Sequence, residues 1–204
     1  TEIYTLPLPD ALPISIALAG NDLIGQARTG SGKTLGFGVP LLNRVNLPGG
    51  EAAAPQALVV APTRELAVQV SGDLAAAGKQ IGARVVTIYG GRAYEPQIEA
   101  LRNGVEVVVG TPGRLLDLAQ QGHLVLGNVR ILVLDEADEM LDLGFLPDIE
   151  KLLKMLPAQR QTMLFSATMP GPIVALARSF LNQPIQIRAE HSGTPRTDHI
   201  DQFA

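Results

Sequence analysis

Two uninterrupted apolar runs, Ala57-Leu-Val-Val-Ala61 and Ile131-Leu-Val-Leu134, constrain this chain more than any other feature. A strand with one wet face alternates polar and apolar residues, so a strand without polar positions must be covered on both faces. Segments with helical spacing separate such runs, for example Leu66, Val70, Leu74 and Ala77 within 65–80. Taken along the chain, strands are predicted at 23–25, 57–61, 84–89, 105–109, 130–134, 162–165 and 185–187. Helices are predicted at 33–46, 65–80, 96–102, 113–121, 137–143, 149–156 and 173–181. This alternation predicts an α/β fold: a doubly wound, mostly parallel sheet with helices on both faces and right-handed crossovers. Ligands on such a sheet bind at the carboxyl ends of the strands, so residues that carry chemistry are expected just after strands.

Composition narrows the function classes. A chain of 204 residues has the length of one domain or slightly more, enough for a buried core. No apolar run reaches the ~18 residues a spanning helix needs, and no basic-then-apolar signal peptide opens the chain. A cytoplasmic, monomeric protein without membrane contact is the resulting expectation. The absence of cysteine excludes disulfides and thiolate metal sites, and His123, His191 and His199 are too scattered for a zinc site. With 16 basic and 20 acidic residues, the net charge of −4 argues against a broad nucleic-acid-coating surface. It leaves room for a narrow groove that holds a few phosphates through backbone amides and two or three arginines.

The two ends read differently from the middle. Pro7, Pro9 and Pro13 forbid a continuous helix across residues 1–14 and spoil a central strand. Ile3-Tyr4-Thr5-Leu6 and Asp10-Ala11-Leu12-Pro13-Ile14 resemble the translation of a common sequencing-library adapter. Residues 1–14 are therefore expected to be a non-native or disordered arm joined to a gene near Ser15. Residues 47–56, with Pro48, Gly49, Gly50 and Pro55, read as a surface loop, and beyond Arg188 the chain turns polar like a linker.

Chemistry concentrates first in Asp22 to Thr34, where a short apolar run leads into a glycine-bearing loop and a helix start. Gly30 and Gly32 let backbone N–H groups point inward without a Cβ clash, and the helix N-terminus adds partial positive charge there. Lys33 would reach β- and γ-phosphates, and the Thr34 hydroxyl would ligate Mg²⁺. The general phosphate-loop pattern has glycine six residues before the lysine, whereas this chain has Ala27. The second concentration is Asp135-Glu136-Ala137-Asp138, at the end of the apolar run 131–134. Asp135 would hold Mg²⁺, and Glu136 would orient or deprotonate the water that attacks the γ-phosphorus. Alone, the four residues would equally suit an acidic helix N-terminus.

Taken together, these segments resemble the DEAD-box ATP-dependent RNA helicases, a family named for the four letters at 135–138. The resemblance runs from about Gly20 to Ala204. Ala27-Arg-Thr-Gly-Ser-Gly-Lys-Thr34 is similar to the family's phosphate loop, in which alanine usually opens the motif. Pro62-Thr-Arg-Glu-Leu-Ala67, Gly90-Gly91, Thr111-Pro-Gly-Arg114 and Ser166-Ala-Thr168 resemble its remaining first-domain motifs, in the family's order. The resemblance implies a RecA-like P-loop NTPase domain over 15–188. It further implies ATP and Mg²⁺ held by Ala27, Thr29, Gly30, Ser31, Gly32, Lys33, Thr34 and Asp135. Thr63, Arg64, Gly90, Gly91, Arg92, Thr111, Gly113 and Arg114 would grip one RNA strand by its backbone, without reading bases. Asp138, Ser166 and Thr168 would couple the nucleotide side to the RNA side.

Two departures limit what the resemblance implies. The family reads adenine with a glutamine at the position of Asp10, so no adenine reader is assigned. The second RecA-like domain, with its arginine fingers, is not in this sequence, and 189–204 resembles the interdomain linker and the start of that domain. A nucleotide- and RNA-binding module without turnover, or a DNA helicase on the same core, stays open as an alternative. Other features are given only ordinary roles: His123 as an exposed turn residue, Met140, Met155, Met163 and Met169 as core or edge, and Glu150, Lys151 and Lys154 as a solvated helix face.

Overall fold

The computed structural model describes residues 3–6, 11–26, 33–46 and 54–189, with the backbone alone at 3–6, 11–13 and 189. Eight strands and eight α-helices are found there. The strands are β1 (Ile3–Leu6), β2 (Leu23–Gln26), β3 (Ala57–Val60), β4 (Val85–Ile88), β5 (Val107–Gly110), β6 (Ile131–Leu134), β7 (Gln161–Ser166) and β8 (Ile185–Ala189). The helices are α1 (Ala11–Leu18), α2 (Lys33–Arg44), α3 (Arg64–Gly78), α4 (Glu95–Arg102), α5 (Pro112–Gln120), α6 (Ala137–Asp142), α7 (Leu146–Met155) and α8 (Gly171–Phe180). One sheet holds all eight strands in the order β1-β8-β2-β7-β6-β3-β5-β4, and every pairing in it is parallel.

The apolar runs have the structure their composition requires. Along β3, Leu58 and Val60 face one core, with α4, α5, α6, α7 and α8 over it, whereas Ala57 and Val59 face a second core under α1, α2 and α3. Alternate residues thus enter different cores, which is why no polar position interrupts the strand. Glycine is required where layers touch. A Cβ on Gly25 would lie 2.6 Å from the Phe165 ring, and one on Gly110 would run into the Ile88 carbonyl and approach Leu115 to 2.9 Å.

Polar residues pin the strand starts. Asp22 accepts hydrogen bonds from the Thr162 amide at 2.7 Å and the Asn182 amide at 2.6 Å, joining β2 to β7 and to the turn before β8. Gln161 donates to the carbonyls of Ala17 and Asn21, which ties α1 to the same edge. At the far side Glu106, 1% exposed, receives the Arg84 amide and guanidinium, with the closest contacts at 2.7 Å. Burial pushes the Glu106 carboxyl up, but the Arg84 hydrogen bonds and charge outweigh it and hold it below its ordinary value.

Several elements differ from the sequence reading. Helix α1 forms across Pro13, which sits in the first turn, where a missing N–H removes no intrahelical bond. Within residues 1–14, expected to be a non-native or disordered arm, Ile3–Leu6 forms an edge strand beside β8. Helix α7 starts three residues before the predicted 149 because Pro147 occupies its first turn. Helix α3 gives way to a 3₁₀ turn at Lys79–Ile81, ended by Gly82 at φ 75°. His123 is half-buried and not exposed. Most of the surface loop at 47–56 and all of 190–204 lie outside the described residues.

Candidate functional site

Because the sheet is wholly parallel, every strand ends on the same rim, and strand order decides which ends are neighbours. Strands β2, β7 and β6 stand side by side, followed by β3, β5 and β4. The residues expected to hold nucleotide follow the first three, and those expected to hold RNA follow the second three. A hydrogen bond from the Asp135 amide to the Val60 carbonyl, 2.9 Å, marks the boundary between the two groups.

On the nucleotide side, Lys33 opens α2 and its Nζ lies 3.5 Å from Asp135 Oδ1 and 3.6 Å from Glu136 Oε1. All three side chains are close to full burial, at 9%, 4% and 11% exposure respectively. Thr34 follows, half-buried. Glu136 has φ 53° and ψ 54°, a left-handed conformation that costs a non-glycine residue roughly 1–2 kcal/mol. This turn lets β6 pass directly into α6, so that Asp135 and Glu136 both approach Lys33. A cavity of about 160 Å³ opens there, lined by Lys33, Glu136, Asp138, Glu139, Asp142 and Ala167.

The fit of this chain to a magnesium ion can be tested on Asp135. Its Oδ1 is buried and has no hydrogen-bond partner. Burial pushes this carboxyl up, and Glu136 adds to the effect, while the Lys33 ammonium pulls it down. A desolvated carboxylate oxygen is a hard donor of the kind Mg²⁺ takes. Among the described residues no group of three or more His, Cys, Asp or Glu could hold a metal. Mg²⁺ keeps several waters and shares substrate phosphates, so one or two protein carboxylates suffice to hold it. The residues present therefore fit Mg²⁺. Ala27, Thr29, Gly30, Ser31 and Gly32 of the expected phosphate loop lie outside the described residues.

Asp138 is brought together with Ser166 and Thr168. Its Oδ2 accepts from the Thr168 amide and hydroxyl, both at 2.8 Å, and its Oδ1 from the Ala167 amide at 3.4 Å. Its own amide donates to the Ser166 hydroxyl at 3.1 Å. Burial pushes the Asp138 carboxyl up, yet the Thr168 and Ser166 hydrogen bonds outweigh it and hold the group below its ordinary range. The end of β7 is thereby tied to the first turn of α6. Gln26 extends the tie: its Nε2 donates to the Ala167 carbonyl at 3.1 Å, and its Oε1 accepts from Arg188 at 3.0 Å.

On the other half of the rim the expected RNA-facing residues gather around two tyrosines. Thr63 caps α3, its hydroxyl accepting from the Leu66 amide at 3.2 Å. The Arg64 and Arg92 guanidinium carbons lie 5.0 Å and 5.6 Å from the Tyr89 ring centroid. Gly90 and Gly91 are exposed, Gly91 at φ 75°. Thr111 caps α5 through its backbone, with Gly113 and Arg114 in the first turn. Arg114 lies 3.9 Å from the Tyr94 ring centroid and donates to the Arg92 carbonyl at 3.0 Å.

Sequence reasoning missed Tyr89, Tyr94, Gln97, Gln26, Glu139 and Asp142. Buried Gln97 accepts from the Tyr89 amide at 3.0 Å and donates to the Ala93 carbonyl at 2.9 Å, which fixes the turn that carries Arg92. The signal for Glu139 and Asp142 was available in helical spacing from Glu136. A hydrogen bond to Glu136, which the protonated Glu139 carboxyl donates, then burial and nearby carboxylates, push Glu139 up. No local pattern marks the tyrosines.

A family model described as DEAD/DEAH box helicase matches residues 11–176. Among curated relatives, the chain is 50% identical over 201 residues to the DEAD-box ATP-dependent RNA helicase CshA of Geobacillus kaustophilus, covering 98% of this chain and 42% of that protein. It is 48% identical to the ATP-dependent RNA helicase DeaD of Buchnera aphidicola, covering 96% of this chain and 32% of the relative. The chain thus spans less than half the length of these relatives. Of solved structures, a DEAD box protein from the hyperthermophile Methanococcus jannaschii superposes with a TM-score of 0.81 at 43% identity, over 87% of this chain and 48% of that one. With the rim geometry, the match over 11–176 places the chain in the DEAD/DEAH box helicase family.

Proposed function

We propose that this chain is the N-terminal, nucleotide-binding half of an ATP-dependent RNA helicase, holding Mg-ATP and the backbone of single-stranded RNA on adjacent halves of one sheet rim. Local unwinding of RNA duplexes then requires a second RecA-like domain. The observation that carries this reading is the apposition of the Lys33 ammonium with Asp135 and Glu136 at 3.5 and 3.6 Å. A lysine at a helix start facing two buried carboxylates is a site built for a phosphate chain and its cation, since each charge there has a partner to exchange.

In this reading Lys33 leaves the carboxylates to bind β- and γ-phosphate oxygens, and the amides of 27–34 complete the cradle. Thr34 and Asp135 would hold the metal, which when bound supplies charge neutralisation at the phosphates. Glu136 orients the attacking water and accepts its proton. Asp138 transmits the state of α6 to β7 through Ser166 and Thr168. Thr63, Arg64, Arg92, Thr111 and Arg114, with the amides near Gly90, Gly91 and Gly113, hold RNA phosphates. Such contacts position a strand without reading its sequence. The protein works as a monomer in the cytoplasm.

The test is ATP turnover with and without RNA, on this chain and on the chain extended by its natural downstream sequence. The expected result is near-absent turnover here and RNA-stimulated turnover in the extended protein, lost in Glu136→Gln while nucleotide binding persists. Stimulation by DNA and not by RNA, or unchanged turnover in Glu136→Gln, would overturn the assignment.

A further inference from the structure

Arg114 and Asp117 sit three residues apart on α5, a spacing at which arginine and carboxylate ordinarily meet. Among the described residues they form no ion pair within 4 Å, although the Tyr94 and Gln121 hydrogen bonds and then the Arg114 charge hold the Asp117 carboxyl down, and each group has other partners. Asp117 Oδ2 accepts the Tyr94 hydroxyl and its Oδ1 accepts Gln121 Nε2 at 2.7 Å. Arg114 instead lies over the face of that same tyrosine, 3.9 Å from the ring centroid, with one donor on the Arg92 carbonyl. A ring face holds a guanidinium in place without using its N–H donors or neutralising its charge. A carboxylate in a bidentate pair would do both.

We propose that Tyr94 is a positioning residue that keeps Arg114 fixed yet unpaired for a nucleic-acid phosphate, by occupying Asp117 with its hydroxyl and Arg114 with its ring. The inference rests on the RNA-binding reading above and deepens it. Loss of the tyrosine has two consequences of the same sign: Arg114 gains rotamer freedom, and Asp117 becomes available to capture it. Removing the carboxylate as well should therefore restore much of what the loss of the ring takes away. A tyrosine that merely packed against α5 would show no such rescue.

The experiment is fluorescence anisotropy of labelled decauridylate on the intact chain at two salt concentrations, with thermal melts to confirm folding. Tyr94→Leu is expected to weaken RNA binding about 3- to 10-fold, and to lower the salt slope by about 0.7, one phosphate contact on a single strand. Tyr94→Leu/Asp117→Asn is expected to recover most of the affinity, and Tyr94→Phe to fall between. If Tyr94→Leu binds as tightly as the parent while Arg114→Ala does not, or if Asp117→Asn gives no rescue, the positioning role is overturned and RNA binding by Arg114 stands. If Arg114→Ala or the parent chain itself shows no dependence on that side chain for RNA, the underlying reading fails and takes this inference with it.

Discussion

Lys33→Ala should destabilise the fold before any nucleotide is added. Among the described residues, the substitution removes the one cation within 4 Å of Asp135 and Glu136 and leaves two adjacent carboxylates in a site that is 4% and 11% exposed. At 3.5 Å and an effective dielectric constant near 20, each lysine–carboxylate interaction is worth about 5 kcal/mol before desolvation. Releasing Lys33 from burial returns part of that, and breaking a buried pair by removing one partner costs about 3–5 kcal/mol in comparable cases. Slight solvent access lowers the expectation to about 2–4 kcal/mol, or roughly 5–15 °C in melting temperature for a domain of this size. Scanning calorimetry of the parent, Lys33→Ala, Asp135→Asn and the double variant measures it. The double variant should melt well above Lys33→Ala, since the orphaned charge at Asp135 has gone. Millimolar Mg²⁺ should raise the melting temperature of Lys33→Ala and leave that of the double variant nearly unchanged. A Lys33→Ala protein that melts with the parent, or strictly additive single effects, would refute the electrostatic account of this site.

Three further outcomes follow from other contacts. Because the Glu106 carboxyl is held below its ordinary value in the fold, its contribution is present above about pH 4.3 and lost as pH falls through the folded value. Glu106→Gln should cost about 1–3 kcal/mol at pH 7 in urea titrations and progressively less as pH falls through the folded value, and a loss that does not shrink on acidification would contradict the ion pair with Arg84. Gly110→Ala should cost about 2–4 kcal/mol or prevent folding, because a Cβ there meets the Ile88 carbonyl and Leu115, and a soluble variant with parent stability would show that β4 can shift. Asp138→Asn keeps the shape but weakens the bonds to the Thr168 amide and hydroxyl. In the extended protein it should preserve nucleotide affinity and cut RNA-stimulated turnover at least tenfold, measured by phosphate release, and undiminished stimulation would remove Asp138 from coupling.

Much of the architecture was legible in the chain because burial on both faces leaves a direct mark: the polar-free runs of β3 and β6 are what a doubly covered parallel strand must look like. Candidate residues for chemistry could be nominated from the sequence too, since phosphate loops and carboxylate pairs need particular side chains in fixed local order. Helix α1 was not read because Pro13 looked like a breaker, and only its first-turn position makes it harmless. What the sequence could not supply is adjacency between distant segments. Strand order places β7 between β2 and β6 and brings Lys33 against Asp135 and Glu136, and the same order sets the arginine-bearing turns beside them on one rim. The left-handed turn at Glu136 and the engagement of Asp117 by Tyr94 belong to the tertiary structure as well. Local spacing encodes which groups a chain can offer, whereas the charge, burial and partner of each group are set by elements that meet only after the sheet has closed its crossovers.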